Sequence, residues 1–158
     1  PLAATLASEA IFDAFLAPYE KFAAFFHGHT YTGNPLACAV ALANLDVFTT
    51  ENVVRRTGER ACALAGLLTD LARHRHVGDV RQWGLMVGVE LVEDAASRSP
   101  FDPVRRIGQL VVQAARRRGV ILRPLGNVMI LMPPLSVTGL ELKLLVEVLH
   151  ESIQEVTS

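Results

Sequence analysis

The stretch VILRPLGNVMILMPP, residues 120–134, is two apolar runs parted by Leu-Gly-Asn and closed by two prolines. Branched aliphatic residues flanking a Gly-Asn turn predict a pair of strands. Just before it, PVRRIGQLVVQAARRRG (103–119) has a helical period, with Val104, Ile107, Leu110, Val111 and Ala114 facing inward. Arg116, Arg117 and Arg118 suit its C-terminal dipole and Gly119 ends it. Further upstream, DVRQWGLMVGVELV (79–92) predicts two more strands around Gly84. A helix from Glu51 to about Arg73 precedes them, with Val54, Ala61, Leu64, Ala65, Leu68 and Leu71 as its apolar face. Downstream, Thr138 and Glu141 have capping-box spacing and start a last helix. Helix, two strands, helix, two strands, helix is the order of a small α/β domain.

The whole chain has 158 residues, 51% of them hydrophobic, and its mean hydropathy is positive. Both are high for a free-standing domain. No run approaches the roughly 20 apolar residues of a membrane helix, so the excess apolar surface is expected to meet polypeptide rather than lipid. A net charge of −1 gives no electrostatic case for a nucleic-acid partner. Cys38 and Cys62 lie in helical patterns and are expected to be buried free thiols of a reducing, cytoplasmic compartment. PLAATLASEAIF (1–12) has neither an initiator Met nor a basic leader, and does not read as a signal peptide. Residues 2–7 read as a buried strand, so Pro1 is expected not to be a natural start. Ser8 is placed to cap a helix over 9–17, with Ile11, Phe12 and Phe15 on one face and Pro18 as its stop.

A second stretch, HGHTYTGNPLACAVA (27–41), gathers two histidines and three hydroxyls before a helix start. Asn34 is a good N-cap and Pro35 suits the first helical position. Ala37, Ala39, Ala41 and Ala43 predict a closely packed, central helix to about Phe48. Gly28 and Gly33 allow close backbone approach, and a helix N-terminus attracts phosphate or carboxylate. A capped helix with a polar lead-in accounts for the same residues. His27, His29 and Cys38 lack a closed four-ligand set, so no metal is expected. RHRH (73–76) reads as a solvated helix end. Arg123, alone in an apolar run before Pro124, either snorkels to the surface or is held for a carboxylate.

Two of these stretches, FFHGHTYTGNPLACAVALANL (25–45) and GVILRPLGNVMILMPPL (119–135), together resemble class III aminotransferases, and within them the branch acting in biotin synthesis. The resemblance implies the aspartate-aminotransferase-like fold: residues 1–50 as the end of the large cofactor domain, 51–158 as interdomain helix and small C-terminal α/β domain. It implies pyridoxal phosphate as cofactor and a cytoplasmic homodimer without nucleic-acid or membrane partners. The implied reaction moves an amino group from a donor, usually S-adenosylmethionine, to a keto acid, 7-keto-8-aminopelargonate. Thr30 matches the residue that reaches the cofactor phosphate of the neighbouring subunit. Gly28 matches a position lining the substrate pocket, and Arg123 the arginine that binds the substrate carboxylate. The family often has a tyrosine where this chain has Ile130. The family's Schiff-base lysine, in a Lys-x-x-Thr-Gly-Gly segment, falls before Pro1 in the family pattern. Neither Lys21 nor Lys143 stands in such a motif, so the 158 residues are expected to be inactive alone.

Overall fold

The computed structural model describes residues 2–158; the reading of Pro1 lies outside the described residues. The chain divides into two compact units, 1–52 and 53–158.

The first unit holds a short helix α1 (Glu9–Asp13), a 3₁₀ turn at Tyr19–Lys21 and a long helix α2 (Pro35–Thr50). The start of α2 is as expected. The Asn34 side chain accepts from the backbone N–H of Leu36 and Ala37, and Pro35 opens the helix. Three expectations for this unit fail. Residues 2–7 form no strand, because no neighbouring strand supplies the ladder that an apolar run needs. α1 ends at Asp13 rather than at 17, and Ser8 makes no capping hydrogen bond. The small-residue helix α2 has no buried residue, so its alanines pack against nothing that buries them here.

The second unit holds α3 (Val53–Leu71), β1 (Val77–Trp83), β2 (Met86–Asp94), β3 (Ser99–Pro100), α4 (Ile107–Arg117), β4 (Arg123–Leu125), β5 (Val128–Leu131) and α5 (Gly139–Thr157). The antiparallel sheet runs β1-β2-β5-β4, with β3 pairing β2. Both main hairpins turn on a two-residue loop whose first residue is a glycine at φ +59°, Gly84 and Gly126. A side chain is strained at that φ, and glycine is not. One sheet face is buried through Val87, Val89, Leu91, Met129 and Leu131. The helices meet it with rows at helical spacing: Leu64, Leu68 and Leu71 on α3, and Leu142, Val146, Leu149 and Ile153 on α5. Thr138 and Glu141 make the expected capping box. Arg117 and Arg118 pair with Glu155 at 2.6 and 2.7 Å, an exposed bridge from α4 to α5 that orients more than it stabilises.

The differences from expectation here have local causes. The helix expected from 103 breaks at Arg106, which takes φ +50°, so α4 begins its period at Ile107 and leaves Val104 and Leu110 exposed. Asn52 (φ +50°) likewise separates α2 from α3, and Val54 and Ala65 are exposed on the latter. Cys62 is exposed and Cys38 half-buried, against the expectation of buried thiols.

Gly66 lies inside α3 with nothing within 4 Å of where a Cβ would stand. Gly66→Ala therefore adds helix propensity without a clash and is expected to stabilise the unit by roughly 0.5–1 kcal/mol. Urea denaturation checks this; an unchanged or lower midpoint contradicts it.

Candidate functional site

Gly28 and Thr30 stand in the loop that leads to α2. The loop is braced by its own turn: Thr32 Oγ1 accepts from the His29 N–H at 3.2 Å, and the Asn34 N–H donates to the Tyr31 carbonyl at 3.1 Å. An aromatic ladder stiffens the approach, with ring centroids 5.5 Å apart for Phe15 and Phe25, 5.4 Å for Phe25 and His27, and 4.8 Å for His27 and His29. Because Asn34 occupies two of the free N–H groups of α2, the capped-helix account of Asn34-Pro35 holds. Thr30 differs from its neighbours. Neither its hydroxyl nor its backbone N–H has a hydrogen-bond partner among the described residues. A threonine with both donors free at a braced turn fits a phosphate oxygen. Gly28 has open space around its Cα. Beside the loop, Tyr31, Asn34, Leu36, Ala37, Val40, Ala41 and Asn44 line an open concavity of about 850 Å³ along α2.

Arg123 begins β4, on the sheet face opposite the buried one. The hairpin register pairs it directly with Ile130, which pairs with Gly88, which pairs with Arg81. These four positions form one row across the sheet. Its two arginines are in different states. Arg81 Nη1 donates to Asp79 at 2.8 Å and to Glu90 at 2.9 Å, and these hydrogen bonds, that of Glu90 foremost, raise its pKa above the ordinary guanidinium value. Arg123 is exposed and has no ion pair or side-chain hydrogen bond among the described residues. Its fork is free for an external carboxylate. Beside Arg81, Trp83, Met86, Gly88, Ile130 and Met132 line an apolar trough of about 320 Å³, and Arg123 is not among its lining residues.

The structure thus places Gly28 and Thr30 together on one loop of the first unit and Arg123 on the second. Two features escaped the sequence reading. One is the direct pairing of Ile130 with Arg123, which a count outward from the two-residue turn would have given. The other is at RHRH: Arg73 and Arg75 are exposed as expected of a solvated helix end, but His76 is only 8% exposed. Among the described residues no group of three or more His, Cys, Asp or Glu is placed to hold a metal ion, and no helix is long and apolar enough to cross a membrane.

The model of the class III aminotransferase family matches residues 1–153. Adenosylmethionine-8-amino-7-oxononanoate aminotransferase of Nitratidesulfovibrio vulgaris is 55% identical over 157 residues, which are 99% of this chain and 29% of that protein. The protein of the same name from Geobacter sulfurreducens is 50% identical, over 99% of this chain and 35% of its own length. Among solved structures, that of the Methanocaldococcus jannaschii protein of this name superposes with a TM-score of 0.89 at 40% identity, covering 94% of this chain and 34% of the other. An (S)-enantioselective omega-transaminase from Thermomicrobium roseum gives 0.80 at 37% identity, covering 85% and 30%. The chain therefore spans about a third of the length of the curated relatives it matches.

Proposed function

The chain belongs to the class III aminotransferases, and from that membership we propose that it is the C-terminal part of an adenosylmethionine-8-amino-7-oxononanoate aminotransferase of biotin synthesis. The observation that carries this reading is identity of 50–55% over nearly the whole chain with relatives of that name. Residues 1–50 are the end of the large cofactor domain and 51–158 the interdomain helix and small domain. The whole enzyme takes an amino group from S-adenosylmethionine and gives it to 8-amino-7-oxononanoate, in two half-reactions on a cytoplasmic homodimer.

Pyridoxal phosphate, when bound, supplies the electron sink for this chemistry. This chain's own residues bind and orient. Thr30 donates its free hydroxyl and N–H to the phosphate of the neighbouring subunit's cofactor. Gly28 leaves room for substrate beside it. Arg123 holds the keto acid by its carboxylate. The proton-shuttling lysine belongs to another part of the polypeptide, since no Lys-x-x-Thr-Gly-Gly occurs in these 158 residues.

The test is turnover by the full-length protein with 8-amino-7-oxononanoate and S-adenosylmethionine, beside simple ω-amines. Good turnover of the amines with none of the keto acid overturns the biotin-pathway assignment and leaves an omega-transaminase. Thr30→Ala is expected to weaken pyridoxal phosphate binding roughly tenfold or more, as the loss of a hydrogen bond to a charged group implies. Titration of the cofactor absorbance band checks it; unchanged affinity removes Thr30 from the phosphate site.

A further inference from the structure

Three histidines meet where the segment between α3 and β1 passes α5. The rings of His74 and His76 are 5.8 Å apart, and those of His74 and His150 meet edge to face at 5.5 Å. His76 is buried. Its Nδ1 lies 3.1 Å from the Val92 carbonyl, an acceptor only, so Nδ1 carries the proton and donates. Its Nε2 is buried without a partner among the described residues. The backbone N–H of His76 in turn donates to His74 Nδ1 at 3.2 Å. That atom accepts only while it carries no proton. The corner grips α5 a second time through Arg75, whose Nη2 donates to the Thr157 carbonyl at 3.3 Å.

The surroundings favour the neutral state. His150 from α5, His76 and Arg75 all disfavour a proton on His74. Behind His76 stands Phe101, with ring centroids 5.5 Å apart, and the Arg105 guanidinium sits 5.0 Å over the far ring. Asp94 at the end of β2 senses His76, but its carboxylate is engaged by the Ser97 hydroxyl at 2.6 Å and the Ser97 N–H at 2.9 Å.

We propose that His74, His76 and His150 form a pH-sensitive latch that fastens the α3–β1 corner to α5, closed while His74 is neutral and released when its Nδ1 takes a proton. A proton there turns the acceptor into a donor facing the His76 N–H, and sets a positive charge among Arg75, His76 and His150. Burial first, then these neighbours, hold the His74 pKa below its ordinary 6.5. The unfolded chain therefore binds more protons than the folded one between that lowered value and 6.5. The latch contributes fully above pH 6.5 and is lost as pH falls from 6.5 through the folded value.

His74→Asn tests this, because an asparagine Oδ1 can replace the Nδ1 acceptor and does not titrate. In the intact protein, urea unfolding is compared at about pH 7.5 and about pH 5.5. The unfolding constant is expected to rise on acidification roughly two- to tenfold more in the wild type than in His74→Asn, the scale of one hydrogen bond. Equal rises overturn the proposal. His150→Gln, which removes a like charge, is expected to move the wild-type transition to higher pH; an unmoved transition counts against the cluster. Should the asparagine variant fail to fold, proton NMR titration of the wild-type His74 ring decides. A midpoint below 6.5 supports the latch, and one at or above 6.5 overturns it.

Discussion

Replacing Arg123 by alanine in the full-length enzyme is expected to lower kcat/KM for the keto acid roughly 100-fold, with cofactor occupancy unchanged. That size follows from losing the charge-assisted, two-pronged hydrogen bond proposed between Arg123 and the substrate carboxylate. The argument rests on the contrast within one row of the sheet. Arg81 already has its charge met by two carboxylates, Asp79 and Glu90, both through Nη1. Arg123 has none among the described residues. Pro124 after it fixes the strand and donates nothing, so the guanidinium has no local competitor from that position. Arg123→Lys keeps the charge but not the fork, and is expected to fall between wild type and alanine. Steady-state kinetics with the keto acid varied, beside the cofactor absorbance of each variant, reads both parts. Wild-type kcat and KM in Arg123→Ala would falsify the carboxylate role.

The second unit was legible in the sequence because its signals are local and redundant. Apolar runs parted at a glycine in residues 79–92 and 120–134 predicted both hairpins, and that glycine takes the first loop position of each turn. The capping box at Thr138 named the start of α5. The misplaced start of α4 came from a single backbone conformation. Arg106 at φ +50° resets the helical phase, so a period counted from 103 turns Val104 inward when it is exposed. No residue type announces such a turn at an arginine, since arginine rarely takes that φ.

The first unit was less legible, for a different reason. An apolar run such as residues 2–7 satisfies a strand and an extended segment alike; only a partner strand decides between them. Likewise, alanines spaced along α2 specify close packing but not what they pack against. Leu36, Val40, Leu42, Leu45 and Val47 are all exposed along that helix, and Phe12, Phe22, Phe25 and Phe26 are exposed before it. So much exposed apolar surface on one short unit marks a face suited to other polypeptide. It agrees with the proposal that these residues meet the rest of a large domain. The candidate site divides in the same way. Arg123 stood out by its oddity in an apolar run, which left snorkelling and carboxylate binding both open, and the resemblance chose between them. Thr30 was singled out by resemblance, because hydroxyls before a helix are too common to select one of three.

Gly108→Ala is the substitution expected to cost the second unit most among its helical glycines. Gly108 is the second residue of α4, and it is buried. A Cβ there would run into the carbonyl oxygen of Gly126 and stand 3.1 Å from the Pro124 Cβ. The obstacle is backbone, in a turn held at φ +59°, and it cannot swing aside as a side-chain end would. Either α4 lifts off the β4–β5 turn or the turn moves. Overpacking of this kind costs about 2 kcal/mol, against the roughly 0.5–1 kcal/mol that alanine gains in a helix elsewhere. Gly66→Ala and Gly108→Ala should therefore have opposite signs although the chemical change is the same. Thermal melting reads the difference, with a fall of roughly 4 °C expected for Gly108→Ala and a rise for Gly66→Ala. The effect should also reach the site, because the turn that must yield carries the strand of Arg123. At a temperature where the variant stays folded, KM for the keto acid should rise while the cofactor absorbance stays as in the wild type. A melting temperature at or above the wild-type value would mean that the turn retreats without cost. It would also mean that α4 does not set the position of Arg123.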